Sequence, residues 1–530
     1  MSGKLPLLVF GLVAVSVGNA HAATYTVGPS NRQYTELSAL FKQVDLNPGD
    51  VVLVDGNATY AGDIIMGKDD SGEDSKPVVV RWDRGSGQSR PVLRGGRSTI
   101  KFEQSNHVVF EGFEITGGRF ACVFSESHGL VVRDNIIRDC PSHGMLAADQ
   151  NSGSLTFEYN EVYNSGAGNK RHSMYIQSDE IAYPDAVFRM RFNYVHSGKG
   201  GILMRSRHER NEVYYNWFEG STNQEVDIAG PDCAEQKSGW SPGMVHEDTD
   251  FVGNVVVHTS KWRDAIRIGG DLNGRNQGRV RMVNNTVLFT REGPAVGVRV
   301  LLGAGSLEAH NNLFHQTGNQ APIILEEEHD PERPLCAPFD TAPWAKGRQV
   351  SGSNNWVKTG SKLVPKEWAR TQQGRDPMLG DIAARALRPV ASSPLINFGN
   401  PQPRAQGIAF QSPQLLPAYE PQRAKLAPGS RPARAVVGSR IDIGALEQAN
   451  AVPGMGKSGQ EPTAPTVDGA AQPAQARRTT GARGISASNP TPIVTRPGAV
   501  VFAGGWLLPL PTTAAALWTA LMMLTATHHV

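Results

Sequence analysis

Between residues 100 and 330 apolar and polar positions alternate in short runs, broken by Asn, Gly and Ser, and helical periodicity is nearly absent. Seven of these runs share one corner: Asn135-Ile-Ile, Asn160-Glu-Val, Asn193-Tyr-Val, Asn216-Trp-Phe, Asn254-Val-Val, Asn285-Thr-Val and Asn312-Leu-Phe. The intervals are 25, 33, 23, 38, 31 and 27 residues, so a minimal repeating unit receives a different loop each time. A β-prone run precedes each corner (Leu130 to Arg133, Leu155 to Glu158, Phe188 to Arg191) and another follows a turn. Such units predict two or three short strands per coil, stacked as a parallel β-helix. Asn at every corner has two readings. It can stack into a ladder of amide hydrogen bonds that satisfies turn backbone, or it can supply the left-handed conformation a turn needs.

The expected fold class is therefore all-β: a right-handed parallel β-helix with an N-terminal cap and a disordered C-terminal tail. Residues 1–22 read as a signal peptide, with Lys4, an apolar Leu5 to Gly18 run and Ala20-His-Ala22. Residues 23–100 form the cap and first coils, with helical spacing from Tyr34 to Val44 and coils starting at Asp50 to Asp55. The repeat body is 101–327. In the loop-rich region 328–448, a Pro-rich excursion from Asp330 to Trp344 precedes strand-like fragments at Ser393 to Asn397 and Arg440 to Glu447. A linker at 449–500 and a hydrophobic tail at 501–530 follow.

Side chains alternate faces along a strand, so apolar flanks fix which residues point out. In Met174-Tyr175-Ile176, Val226-Asp227-Ile228, Ile266-Arg267-Ile268 and Val298-Arg299-Val300 the middle residue faces solvent. The same parity in Ile202 to Arg207 sends Leu203, Arg205 and Arg207 outward. One sheet thus presents Tyr175, Arg205, Arg207, Asp227, Arg267 and Arg299, with His172, Lys199, Lys261 and Arg263 in adjoining turns. Arginine recognises carboxylates through paired hydrogen bonds, so this face suits an acidic, uronic-acid polysaccharide. The bland alternative is a charged, soluble outer face with weak ion pairs.

Composition narrows the partners. A formal net charge of +2 gives no basic excess for nucleic acid, and nothing signals oligomerisation, so a monomer is expected. Membrane contact is expected only through the C-terminal tail. The four cysteines, Cys122, Cys140, Cys233 and Cys336, contain no C-x-x-C pair, and their pairing stays open. Export would place the chain in the periplasm or outside the cell, with surface anchoring by the tail as a further reading.

The combination of Ser393-Pro-Leu-Ile-Asn397 with Asp442-Ile-Gly-Ala-Leu-Glu447 resembles the C-terminal signature of bacterial secreted right-handed parallel β-helix proteins of the pectate-lyase superfamily. His172-Ser-Met-Tyr-Ile176, Arg205-Ser-Arg207 and Glu225-Val-Asp-Ile228 resemble a proteobacterial branch of it. The resemblance covers about residues 23–448 and implies the fold; the superfamily includes lyases, hydrolases, epimerases and adhesive proteins.

A polysaccharide lyase reading assigns Arg205 to charge stabilisation, Lys199 or His172 to the base and Tyr175 to the acid. Arg207, Asp227, Arg267 and Arg299 then contact substrate. The similar alginate lyase and chondroitinase B family uses a Lys base with an Arg acid on neighbouring coils. Here Lys199 and Arg205 share one coil, and the next offers Glu225 and Asp227. No cofactor is required; calcium is an option through Glu225, Asp227 and Asp232. The alternatives are a non-catalytic polysaccharide-binding or adhesive protein, a glycoside hydrolase with paired carboxylates, or a C5-epimerase.

Overall fold

The computed structural model describes residues 22–230, 238–239, 241, 247–270, 278–328, 344, 347–403 and 415–448. The signal-peptide, linker and tail readings lie outside them, as do Cys233, Cys336, Asp232 and, but for Trp344, the Pro-rich excursion. Most coils contribute three strands, and among the described residues the coils build three parallel sheets of 13, 12 and 10 strands, the first coil and the last two lacking a sheet 3 strand. Sheet 1 holds strands such as Leu130–Arg133, sheet 2 those such as Ile136–Arg138, and sheet 3 those such as Met174–Gln177. Strand Thr24–Val27 already pairs with Val51–Asp55, so stacking begins before the Asp50 start read from the sequence. A short helix, Leu37–Gln43, buries Leu37 and Leu40 in the same core as the coils.

The corner asparagines lie between sheets 1 and 2, and each is buried. The backbone N–H of Asn193 donates to Asn216 Oδ1 (3.0 Å), and that of Asn216 donates to Asn254 Oδ1 (2.9 Å). Asn216 Nδ2 donates back to the Met190 carbonyl (2.9 Å), ending a sheet 1 strand that cannot close its own bonds at the bend. The same links run from Asn135 to Asn312 and on to Asn355, a rung the sequence pattern had not included.

Left-handed backbone sits one residue earlier, at Asp134, Tyr159, Phe192, Tyr215, Gly253, Asn284, Asn311 and Asn354. The ladder is therefore the reason for the asparagines, and the turn conformation falls on their neighbours. Tyr159, Phe192 and Tyr215 accept that strain and stack with successive ring centroids 5.1 Å apart.

The fragments at Ser393 to Asn397 and Arg440 to Glu447 are not strands. Outward residues of sheet 2 are apolar in the later coils (Val255, Val257, Leu288, Leu313, Trp356) and need a cover. Leu395, Ile443, Ala445 and Leu446 provide it. Asn284 Nδ2 donates to the Asp442 carbonyl (2.8 Å), and Ala445 N–H donates to Thr286 Oγ1 (3.0 Å). Gly444 makes the approach with φ +97°, where a Cβ would meet Thr286 Oγ1 at 2.9 Å. This C-terminal segment clamps the outside of the solenoid instead of extending it.

Cys122 and Cys140 form a disulfide, stapling successive coils at the corner of sheets 2 and 3. Closing 18 residues of chain is worth about 3 kcal/mol. A Cys122→Ser/Cys140→Ser chain should lose about that much in urea unfolding.

Candidate functional site

Sheet 3 carries one outward rank through consecutive strands. Its Cα partners run Leu146, Tyr175, Arg205, Asp227, Arg267, Arg299 and Glu326. Met174, Ile176, Met204, Val226, Ile228, Ile266, Ile268, Val298 and Val300 turn into the core on either side. Before Leu146 the same rank reads Ile65, Lys101 and Phe124, and from Arg205 to Glu326 every member is charged.

Asp227 is that carboxylate. Its side chain is fully buried, although it stands on the outer face, because Arg205 and Arg267 close over it. Arg267 forms a two-pronged pair, Nε to Oδ1 at 2.8 Å and Nη2 to Oδ2 at 2.6 Å. Arg205 Nη1 adds a contact of 3.2 Å to Oδ2. Burial raises its pKa, but Arg267 and Arg205 outweigh burial and hold the carboxyl well below its usual range. Asp227 therefore faces its arginines and not solvent, which corrects the outward, exposed position expected for it. Leu203 is likewise in the core and not outward, because the strand begins only at Met204.

Tyr175 is enclosed by cations. The Arg205 guanidinium lies over its ring, 5.5 Å from the centroid, and Arg207 Nε donates to its hydroxyl oxygen (2.9 Å). Arg207 itself is buried and also donates to the Gly230 carbonyl. It acts on Tyr175 and is not spread on the surface as a substrate contact. Arg299 stands one strand beyond Arg267, with Nη2 2.8 Å from Glu328 and Nη1 3.8 Å from Asp264.

His172 packs edge-on to Tyr175 (centroids 5.4 Å) and near His143 (5.9 Å), a residue the sequence reading passed over. Nothing in a His-Gly dipeptide distinguishes it; the coil stacking does. His172 Nδ1 accepts the Ile202 N–H (3.1 Å), and His143 Nδ1 accepts the His172 N–H (3.2 Å). Burial first, then Arg205, pushes the His172 imidazole down to about 3; burial and Arg171 push His143 to about 4. Both rings are neutral at physiological pH. Each has its Nδ1 lone pair occupied, leaving the proton on Nε2. The base role read for His172 therefore does not fit, and a hydrogen-bond donor role does.

Lys199 is exposed at the corner between sheets 2 and 3, its backbone N–H bound to the Ser165 carbonyl. The same kind of corner two coils on carries Lys261, Trp262 and Arg263, all exposed. Trp262, 39% exposed, was also missed. A tryptophan between two cations was its only signal.

Of the calcium set, Asp232 lies outside the described residues, and the other two carboxylates are engaged by protein groups. Glu225 is fully buried and bonds His258 Nδ1 (2.5 Å) and the Ser221 N–H (3.2 Å), while Asp227 is taken by arginines. Burial raises the pKa of Glu225 against the opposing pull of His258. Among the described residues no group of three or more His, Cys, Asp or Glu is placed to hold a metal ion.

Residues 52–264 match the family model described as "Periplasmic copper-binding protein (NosD)". In fold the chain is a right-handed parallel β-helix. No curated protein matches it. Among solved structures, the β-helix is similar to the pectate lyase Pel9A at 14% identity, over 81% of this chain and 98% of that one, with a TM-score of 0.43. It is similar to an alginate lyase from Paenibacillus sp. str. FPU-7 at 14% identity, covering 66% and 99%, with a TM-score of 0.37. XylC in complex with xylose is similar at 10% identity, covering 67% and 87%, with a TM-score of 0.43.

Copper favours clustered imidazole, thiolate and thioether ligands. In the β-helix the neighbouring His143 and His172 spend Nδ1 on backbone N–H groups, and Cys122 and Cys140 are joined. The described residues do not fit a copper site. Among them no helix is long and apolar enough to cross a membrane.

Proposed function

We propose that this β-helix binds an acidic, uronic-acid polysaccharide along the outer face of sheet 3 and cleaves it by β-elimination. The observation that carries the reading is Tyr175, placed in the same rank as three arginines with Arg205 on its ring and Arg207 on its oxygen. Arg205, Arg267 and Arg299 form the positive surface for the uronate carboxylates, and Asp227 fixes the first two in position. Elimination breaks the C5–H and C4–O bonds and forms the C4–C5 double bond. Tyr175 and Lys199 are the groups assigned to the two proton transfers, one accepting the C5 proton and the other protonating the departing oxygen. His172, neutral and carrying its proton on Nε2, is assigned to donate toward the charge that develops on the carboxylate. Trp262 offers an exposed ring for a sugar face.

Export to the periplasm or beyond belongs to the same proposal. The signal-like N-terminus and the Cys122–Cys140 disulfide support an oxidising compartment.

The test is incubation of the chain with alginate, pectate, hyaluronan and chondroitin while following ultraviolet absorbance of unsaturated ends. One polymer should yield the chromophore, and Tyr175→Phe should lower its rate by about 100-fold or more with binding retained. Retained binding with no chromophore would replace the lyase by a binding-only reading. No binding to any of the four polymers would remove both.

A further inference from the structure

A second site lies on another face, where the C-terminal clamp meets sheet 2. Trp217 and the segments around 380–391 and 421–423 enclose a cavity of about 490 Å³. Trp217, Leu387 and Leu446 give it apolar walls, and Arg385, Arg388 and Arg423 also line it. Three guanidiniums in so small a space need acidic partners. Arg388 has one in Glu420, with Nη1 to Oε1 at 3.0 Å. Arg385 and Arg423 must share Glu219.

Glu219 receives Arg385 Nε at 2.8 Å, Arg423 Nε at 2.7 Å and the Trp217 indole N–H at 3.1 Å. Burial raises its pKa, but Arg423 and Arg385 prevail and hold it below the usual carboxylate range. One ionised carboxylate thus serves two permanent cations. Arg385 also donates Nη1 to the Ile382 carbonyl, and Arg423 donates Nη2 to Glu219. The further neighbour of Arg423 is the Tyr194 hydroxyl, which carries no charge at neutral pH. A clamp pinned only for stability needs one guanidinium on Glu219. The second leaves a positive excess at a cavity that Trp217, Leu387 and Leu446 also line.

We propose that this cavity binds a small organic carboxylate with an apolar face, its carboxylate shared by Arg385 and Arg423 and its body against Trp217, Leu387 and Leu446. A uronic acid and an aromatic acid both have this chemistry. The site is separate from the sheet 3 rank and does not depend on the lyase reading.

Titration calorimetry of the full chain with galacturonate, benzoate and neutral galactose tests it. At least one carboxylate should bind saturably, galactose should not, and which acid binds tells sugar from aromatic. Arg423→Gln should weaken binding about tenfold, because a charge-assisted pair is lost. Glu219→Gln should strengthen it several-fold by releasing both guanidiniums from their internal competitor. Both substitutions loosen the clamp and should lower its melting temperature, so a merely structural role moves affinity the same way in both. The proposal is overturned by no saturable carboxylate binding, by galactose binding as tightly, or by the two substitutions shifting affinity in the same direction.

Discussion

Asn216→Ala is expected to destabilise the β-helix by about 3–5 kcal/mol, a large part of the stability of any natural domain. The substitution removes Oδ1 from the Asn193 N–H and Nδ2 from the Met190 carbonyl, both in the buried corner. It also breaks the side-chain links to Asn193 Nδ2 (2.9 Å) and Asn254 Oδ1 (3.1 Å). Water does not reach these groups to replace the lost partners, so the desolvation cost of each is fully felt. Asn319→Ala is the control, since this asparagine is exposed in a turn and lies outside the ladder, with a backbone that is not left-handed. It should shift stability by about 0.5 kcal/mol or less. Urea unfolding of the two chains measures the difference. A loss below about 1 kcal/mol at Asn216 would mean that the ladder is incidental to the corner.

Asp227→Ala is expected to cost about 3–5 kcal/mol, because it removes the buried carboxylate that Arg205 and Arg267 both hold. Asp227→Asn keeps the shape but not the charge and should recover only part of that loss. The pH dependence has a definite sign. The folded pKa of Asp227 is depressed, since its arginines outweigh burial. Its contribution is therefore complete above the ordinary aspartate pKa of about 3.9 and is lost as pH falls from there toward the folded value. The unsubstituted chain and the Asp227→Asn variant should then converge in stability at strongly acidic pH. Equal stability of the two at neutral pH would show that the arginines are held by other groups.

The same two sites show how far the sequence could be read. Period-two alternation alone placed Tyr175, Arg205, Asp227, Arg267 and Arg299 on one face, and they are Cα partners on successive strands. Strand parity is a local property, and a repeated corner keeps its register from coil to coil. It failed at Leu203, which precedes its strand, where parity has no meaning. It also gave no warning that Asp227 would be sealed by its neighbours, since an outward direction does not tell what lies above it.

What the chain determined by itself is the repeat: Asn at a fixed corner and apolar residues at alternate positions are enough to specify stacked parallel strands. Tertiary structure alone decided the rest. His143 meets His172, Glu219 meets Arg385 and Arg423, and the Asp442 to Glu447 motif becomes a clamp over sheet 2. These partners are separated by a whole coil or by more than 150 residues, and their meeting depends on loop lengths the repeat leaves free. Ion pairing and burial follow from those meetings, so the chemistry of both faces is set by packing between coils and clamp.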